Sequence, residues 1–183
     1  PLVARDIWCD DLTVTGRRMR MVLTCWGAAA AGLLAVGFTR ADYWGSVGAE
    51  WALSFLATYF AGLWAIRAEP ANRAAVRLLV FGCVALTFLA ASLELIIQVQ
   101  AGLAGIGLVL GNTVVQMISF GFVVAQAAAL VRYPDGVARL AVERWSVGAL
   151  LIIAASLPIV LLITRPDVVP AWIVQFSGEA GSL

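Results

Sequence analysis

Five stretches of the chain are almost free of charge: residues 21–38, 51–66, 78–99, 103–131 and 147–163. A helix needs about 20 apolar residues to cross the hydrocarbon, with a range of roughly 17–25, so each stretch reads as a span. The second is short and gains a turn by starting near Gly48. The fourth is too long for a simple crossing. Its glycine-rich opening, residues 101–107, predicts an outer loop or an interfacial approach to a helix starting near Leu108. Strand-like alternation is missing throughout, which excludes a β-barrel on pattern. The expected fold is therefore all-α, a polytopic transmembrane helix bundle with spans at about 21–38, 49–66, 78–99, 106–131 and 147–163. Residues 1–20 precede the helical domain of residues 21–163, and residues 164–183 form a tail beyond it.

Composition carries the same message. Apolar residues make up 62% of the 183 and charged residues 13%, against roughly 45–50% and about 25% in a soluble domain. A soluble fold of this size has no interior large enough for that surface, so the principal partner is the lipid bilayer. The first stretch has the basic flank of a signal peptide, but about 18 apolar residues exceed the usual h-region. Thr39, Arg40, Ala41 and Asp42 also make a poor cleavage site, so the stretch is read as a retained helix.

Charge sets the orientation. All 12 cations are arginine. Arg5, Arg17, Arg18 and Arg20 precede the first span; Arg67, Arg73 and Arg77 follow the second; Arg132, Arg139 and Arg144 follow the fourth. Only Arg40 and Arg165 fall on the other side. Ten against two predicts a cytoplasmic amino terminus, with cytoplasmic loops at 67–77 and 132–146. Trp44, Trp51 and Trp172 then mark the outer interface, and Trp64 and Trp145 the inner one. The arginines sit in short membrane-flanking loops without interleaved aromatics, which argues against nucleic-acid binding.

Much chemistry is excluded by absence. The chain has no lysine and no histidine. It therefore holds no retinal or pyridoxal Schiff base, no histidine-liganded metal or haem, and no Ser-His-Asp triad. Cys9, Cys25 and Cys83 stand singly, so no disulfide framework or metal site is expected. These residues carry no catalytic site, and no cofactor is expected.

Polar residues inside the spans are the remaining candidates. Glu94 is the only carboxylate well within a predicted span, and Gln98 shares its helix face. Asn112 and Gln116 repeat the spacing in the next span, at a comparable distance from the outer connection. An acid at mid-bilayer costs roughly 2.5–3.5 kcal/mol on insertion scales, so Glu94 should face protein or water. One reading is interhelical glue, in which the four side chains satisfy each other. The other is a ligand- or proton-sensing pocket open to the outside, with Glu94, Gln98, Asn112 and Gln116 as its residues. Small residues four apart, at Gly107 and Gly111, at Gly121 and Ala125, and at Ala57, Ala61 and Ala65, suit close helix packing. Pro158 should kink the fifth helix.

The loop between the fourth and fifth spans has its own signature. Tyr133, Pro134, Asp135 and Gly136 form a turn by their chemistry: proline presets φ, and Asp-Gly supplies an acceptor and a positive-φ position. Arg144 and Trp145 follow as an interfacial anchor. This arrangement resembles the inner loop of membrane sensor histidine kinases of actinobacteria and chloroflexi, in which an aromatic-Pro-Asp/Thr-Gly-Arg sequence is followed by Arg-Trp. The chain departs at Val137, where those proteins have arginine, with Arg139 two residues on. The resemblance implies the sensory membrane domain of a two-component kinase in a bacterial plasma membrane. It also implies a homodimer, a small ligand as a possible signal, a sixth span beyond residue 183, and a catalytic domain outside these residues. A small accessory or structural subunit of a membrane complex is the alternative; a transporter ranks last, because no internal repeat is visible.

Overall fold

The computed structural model describes residues 3–41, 47–70, 72–131 and 141–164. These form five helices: α1 (Val3–Ala41), α2 (Val47–Ala68), α3 (Arg73–Gln100), α4 (Gly105–Val131) and α5 (Ala141–Thr164). Among the described residues there is no strand. In α1 the segment apolar enough to span is Arg17–Arg40, and the helix runs on without a break to Val3. Helix α2 begins beside Gly48, as its length required.

The ends of α3 follow local chemistry. Asn72 caps its first turn: Oδ1 accepts from the amides of Ala74 at 2.9 Å and Ala75 at 3.2 Å, while Nδ2 donates to Glu69 at 3.0 Å. The cap satisfies donors that would otherwise be orphaned, and it starts the helix five residues before the uncharged stretch. At the other end Gly102 has φ +96°, and the amides of Gly102 and Leu103 donate to Val99 and Gln98. That is a Schellman closure, in which glycine takes the left-handed position. It reverses the chain within residues 101–104. Helix α4 therefore resumes at Gly105, beside the expected span start at about 106 and ahead of the Leu108 start read from the glycine-rich opening.

Helix α3 is the axis of the bundle. It packs against α1, α2 and α4, while α5 packs on α4. Leu79, Cys83, Ala85 and Leu86 of α3 are completely buried. The α2–α3 crossing depends on two glycines. A Cβ on Gly62 would lie 2.8 Å from the Leu79 backbone, and one on Gly82 would lie 2.8 Å from Tyr59 Cα. The helices therefore meet backbone to backbone, as small residues allow in a membrane. The Ala57, Ala61 and Ala65 stripe is not this interface: Ala57 and Ala61 are exposed. Gly111 does serve close packing, against Leu95, whereas Gly121 meets open space. Phe122 of α4 ties three helices together, with ring centroids 5.2 Å from Phe81, 5.9 Å from Phe88 and 5.4 Å from Phe55.

Four helices are long and apolar enough to cross a membrane: α1 through Arg17–Arg40, α2 through Gly48–Ala68, α3 over its length, and α4 through Gly105–Leu130. The fifth expected span falls short of that standard. Helix α5 has 24 residues, but the apolar part among the described residues is Trp145–Val160. Large side chains such as Leu53, Phe60, Ile106, Leu130 and Ile152 are exposed along the helices. Without water-facing polar partners, that surface suits lipid. The chain is a helical membrane protein.

Candidate functional site

Two of the four polar residues singled out in the sequence come together, and they recruit a third from another helix. Glu94 and Gln98 lie one turn apart on α3, and Gln98 Nε2 donates to Glu94 Oε1 at 2.7 Å. Arg40 Nη1 donates to Glu94 Oε2 at 2.9 Å, closing an ion pair between the last turn of α1 and α3. Both carboxylate oxygens are thus engaged. Glu94 lies six residues before the end of α3, about 9 Å along the axis. Gly37 packs on Leu93, so the long Arg40 side chain, one turn further on, reaches back to the carboxylate.

The pair is not sealed in protein: the side chains are 49% and 46% exposed. Asn112 sits on α4 and is 2% exposed, and Gln116, one turn on, is half-buried. They place polar groups on the helix beside α3, but the described hydrogen bonds of Glu94 go to Arg40 and Gln98.

Arg40 was the residue missed by pairing the polar positions of consecutive helices. A signal for it was present, since Arg40 is one of the two arginines on the wrong side of the charge asymmetry. Helices α1 and α3 are separated by one helix and so run parallel, which brings their carboxyl-terminal ends to the same side. A cation and an acid near those ends can therefore meet.

The same face of α3 continues to bond α1 deeper in the bundle. Trp26 Nε1 donates to Thr87 Oγ1 at 2.9 Å, and Cys83 Sγ donates to the Leu23 carbonyl at 3.3 Å. Tyr59 of α2 lies against Gly27 and donates its hydroxyl to the Thr24 carbonyl at 2.8 Å. These contacts make α1 and α3 one packed unit, with the Arg40–Glu94 pair at its exposed end.

Tyr133, Pro134, Asp135 and Gly136 lie outside the described residues. Arg144 falls in α5, where its side chain is not described, and Trp145 is 79% exposed near the start of that helix. Among the described residues, no group of three or more Cys, Asp or Glu side chains comes together to hold a metal ion. Compared with protein-family models, curated proteins and solved structures, the chain has no match.

Proposed function

We propose that this chain is the membrane-embedded sensory region of a bacterial two-component sensor kinase, without catalytic residues of its own. The observation that carries the reading is the half-exposed Arg40–Glu94 pair joining the ends of two packed, parallel helices. In the proposed topology α5 is the fifth span, the amino terminus is cytoplasmic and the pair faces outward. Ten arginines against two support that orientation. The turn at Tyr133–Pro134–Asp135–Gly136 with Arg144 and Trp145, similar to sensor-kinase inner loops, supports the family.

Mechanistically, Glu94 is the signal-responsive group. A proton on its carboxylate, or a cationic ligand on its oxygens, competes with Arg40 and frees the end of α1 from α3. That exchange shifts a downstream equilibrium only as far as the signal binds the two states differently. A homodimer in the bilayer is the natural unit for such a shift. The second reading, an accessory or structural subunit, draws on the exposed apolar faces of α4 and α5, where Leu130 and Ile152 offer surface to another membrane protein.

The test is autophosphorylation of the native full-length polypeptide in proteoliposomes, over a range of external pH. Wild type, Glu94→Gln and Arg40→Gln are compared. A response in wild type that both variants abolish is the expected result. Equal responses in all three retire Glu94 as the sensing group and leave it as glue, and a native polypeptide with no kinase output removes the sensor reading in favour of the subunit.

A further inference from the structure

At the end of the bundle opposite the Arg40–Glu94 pair, a cleft of about 650 Å³ opens between α1 and α2. From α1 it is lined by Arg17, Arg20, Met21 and Thr24, which share one helix face. From α2 the lining is Leu63, Ile66 and Arg67, again one face, with Pro70 in the turn just beyond its end. Because the helices are antiparallel, both faces run in the same sense, from arginine at the end of the bundle to apolar side chains deeper in. The distance from Arg17 to Thr24 along the axis is about 10 Å. The deep end is marked by Tyr59, whose hydroxyl bonds Thr24. None of the lining residues is acidic. The nearby Glu69 accepts from Asn72 at the start of α3.

The cause of the cleft is the packing order. Helices α1 and α2 each lie along α3 and touch one another sparingly. They meet where the Tyr59 ring covers Gly27, and beyond that point the gap between them is floored by Leu63 and Ile66. Arg20 reaches over it toward the Pro70 carbonyl at 3.5 Å. The gradient from guanidinium to hydrocarbon over one helical face matches one molecule of the bilayer. A phospholipid has the same order of groups, its anionic phosphate lying roughly 5–7 Å above the first acyl methylenes, within the length of the cleft.

We propose that this cleft is a binding site for an anionic phospholipid. Its phosphate sits among Arg17, Arg20 and Arg67, and the upper part of its acyl chains lies along Met21, Leu63 and Ile66. Arginine suits the role, because its planar fork bonds two phosphate oxygens at once. Basic pockets between helices on the arginine-rich side of a membrane are where such headgroups are held. Zwitterionic lipid fits the same shape but adds a cation to a cleft that already holds three, so the site discriminates by headgroup charge. This proposal does not depend on the sensing role of Glu94.

The experiment is native mass spectrometry of the full chain in dodecylmaltoside with equal amounts of dioleoylphosphatidylglycerol and dioleoylphosphatidylcholine. Wild type is expected to retain phosphatidylglycerol preferentially. The preference should fall on the order of fivefold for each arginine removed, in Arg17→Gln and Arg67→Gln. The Arg17→Lys/Arg67→Lys variant, which keeps the charge but loses the bidentate forks, controls for misfolding and should keep more of it than either glutamine variant. Arg73→Gln, outside the cleft, should leave it unchanged. No preference in wild type overturns the site, as does an equal loss in Arg73→Gln and Arg17→Gln, which means diffuse attraction. Displacement by soluble glycerophosphoglycerol as efficient as by the intact lipid also overturns it, by reducing the site to an anion pocket without an acyl groove.

Discussion

The replacement of Gly82 by alanine tests how the bundle is held together. Its Cβ would sit 2.8 Å from Tyr59 Cα and 3.0 Å from Tyr59 N. These are backbone atoms, so no rotamer change removes the clash. Carbon atoms pack best about 3.5–4.0 Å apart, so α2 and α3 must separate by roughly 0.7–1.2 Å. A gap of that size forfeits about a quarter to a half of the attraction of each facing atom pair. The pairs lie where Leu79, Cys83 and Leu86 are completely buried. Overpacking of this kind costs about 1–3 kcal/mol, offset by roughly 0.5–1 kcal/mol because alanine suits a helix better than glycine. The expected net loss is roughly 0–2.5 kcal/mol. Gly32→Ala in α1 is the control, since a Cβ there meets nothing within 4 Å and only the helix gain remains. Reversible unfolding in mixed micelles, titrated with dodecyl sulfate, reads the difference. Gly62→Ala strains the same crossing, at 2.8 Å from the Leu79 backbone. Once one substitution has opened the crossing the other costs less, so the double variant should lose less than the sum. If Gly82→Ala unfolds at the same dodecyl sulfate fraction as Gly32→Ala, the backbone-to-backbone crossing is refuted.

Three further outcomes are expected. Tyr59→Phe removes the bond to the Thr24 carbonyl and should cost about 0.6 kcal/mol, at most about 1.7, by the same titration; Gly27→Ala, which places a methyl in the Tyr59 ring, should cost more. A double-mutant cycle of Arg40→Gln and Glu94→Gln should give a coupling of about 0.2–1 kcal/mol, because the pair is half exposed, and the coupling should shrink in about 1 M salt. A salt-independent value of several kcal/mol would contradict that exposure. Reporter fusions after Arg77 and Trp145 should read cytoplasmic and one after Asp42 external; a reversal at any of the three breaks the proposed orientation.

The helices were legible in the sequence because the bilayer imposes a length and forbids unpaired backbone, so uninterrupted apolar stretches leave few alternatives. The spans around Leu34, Leu79 and Val124 follow from that constraint alone. Local chemistry was also present but less visible. Asn72 as a cap starts α3 five residues before its uncharged stretch, and Gly102 as a left-handed closure ends it one residue beyond. The one-turn spacing of Glu94 and Gln98 on a shared face was readable from helical geometry. Only the tertiary structure decided which face of each helix is inside. In hydrocarbon an exposed leucine and a buried one are equally acceptable, so apolar sequence carries little amphipathic signal to distinguish them. The interface therefore turned on steric fit. Gly62 and Gly82 were chosen over the Ala57, Ala61 and Ala65 stripe because each lies opposite a backbone that tolerates no Cβ. The partner of Glu94 was decided in the same way: parallel packing of α1 on α3 brought Arg40 from 54 residues away to the carboxylate, a distance that local spacing does not reach.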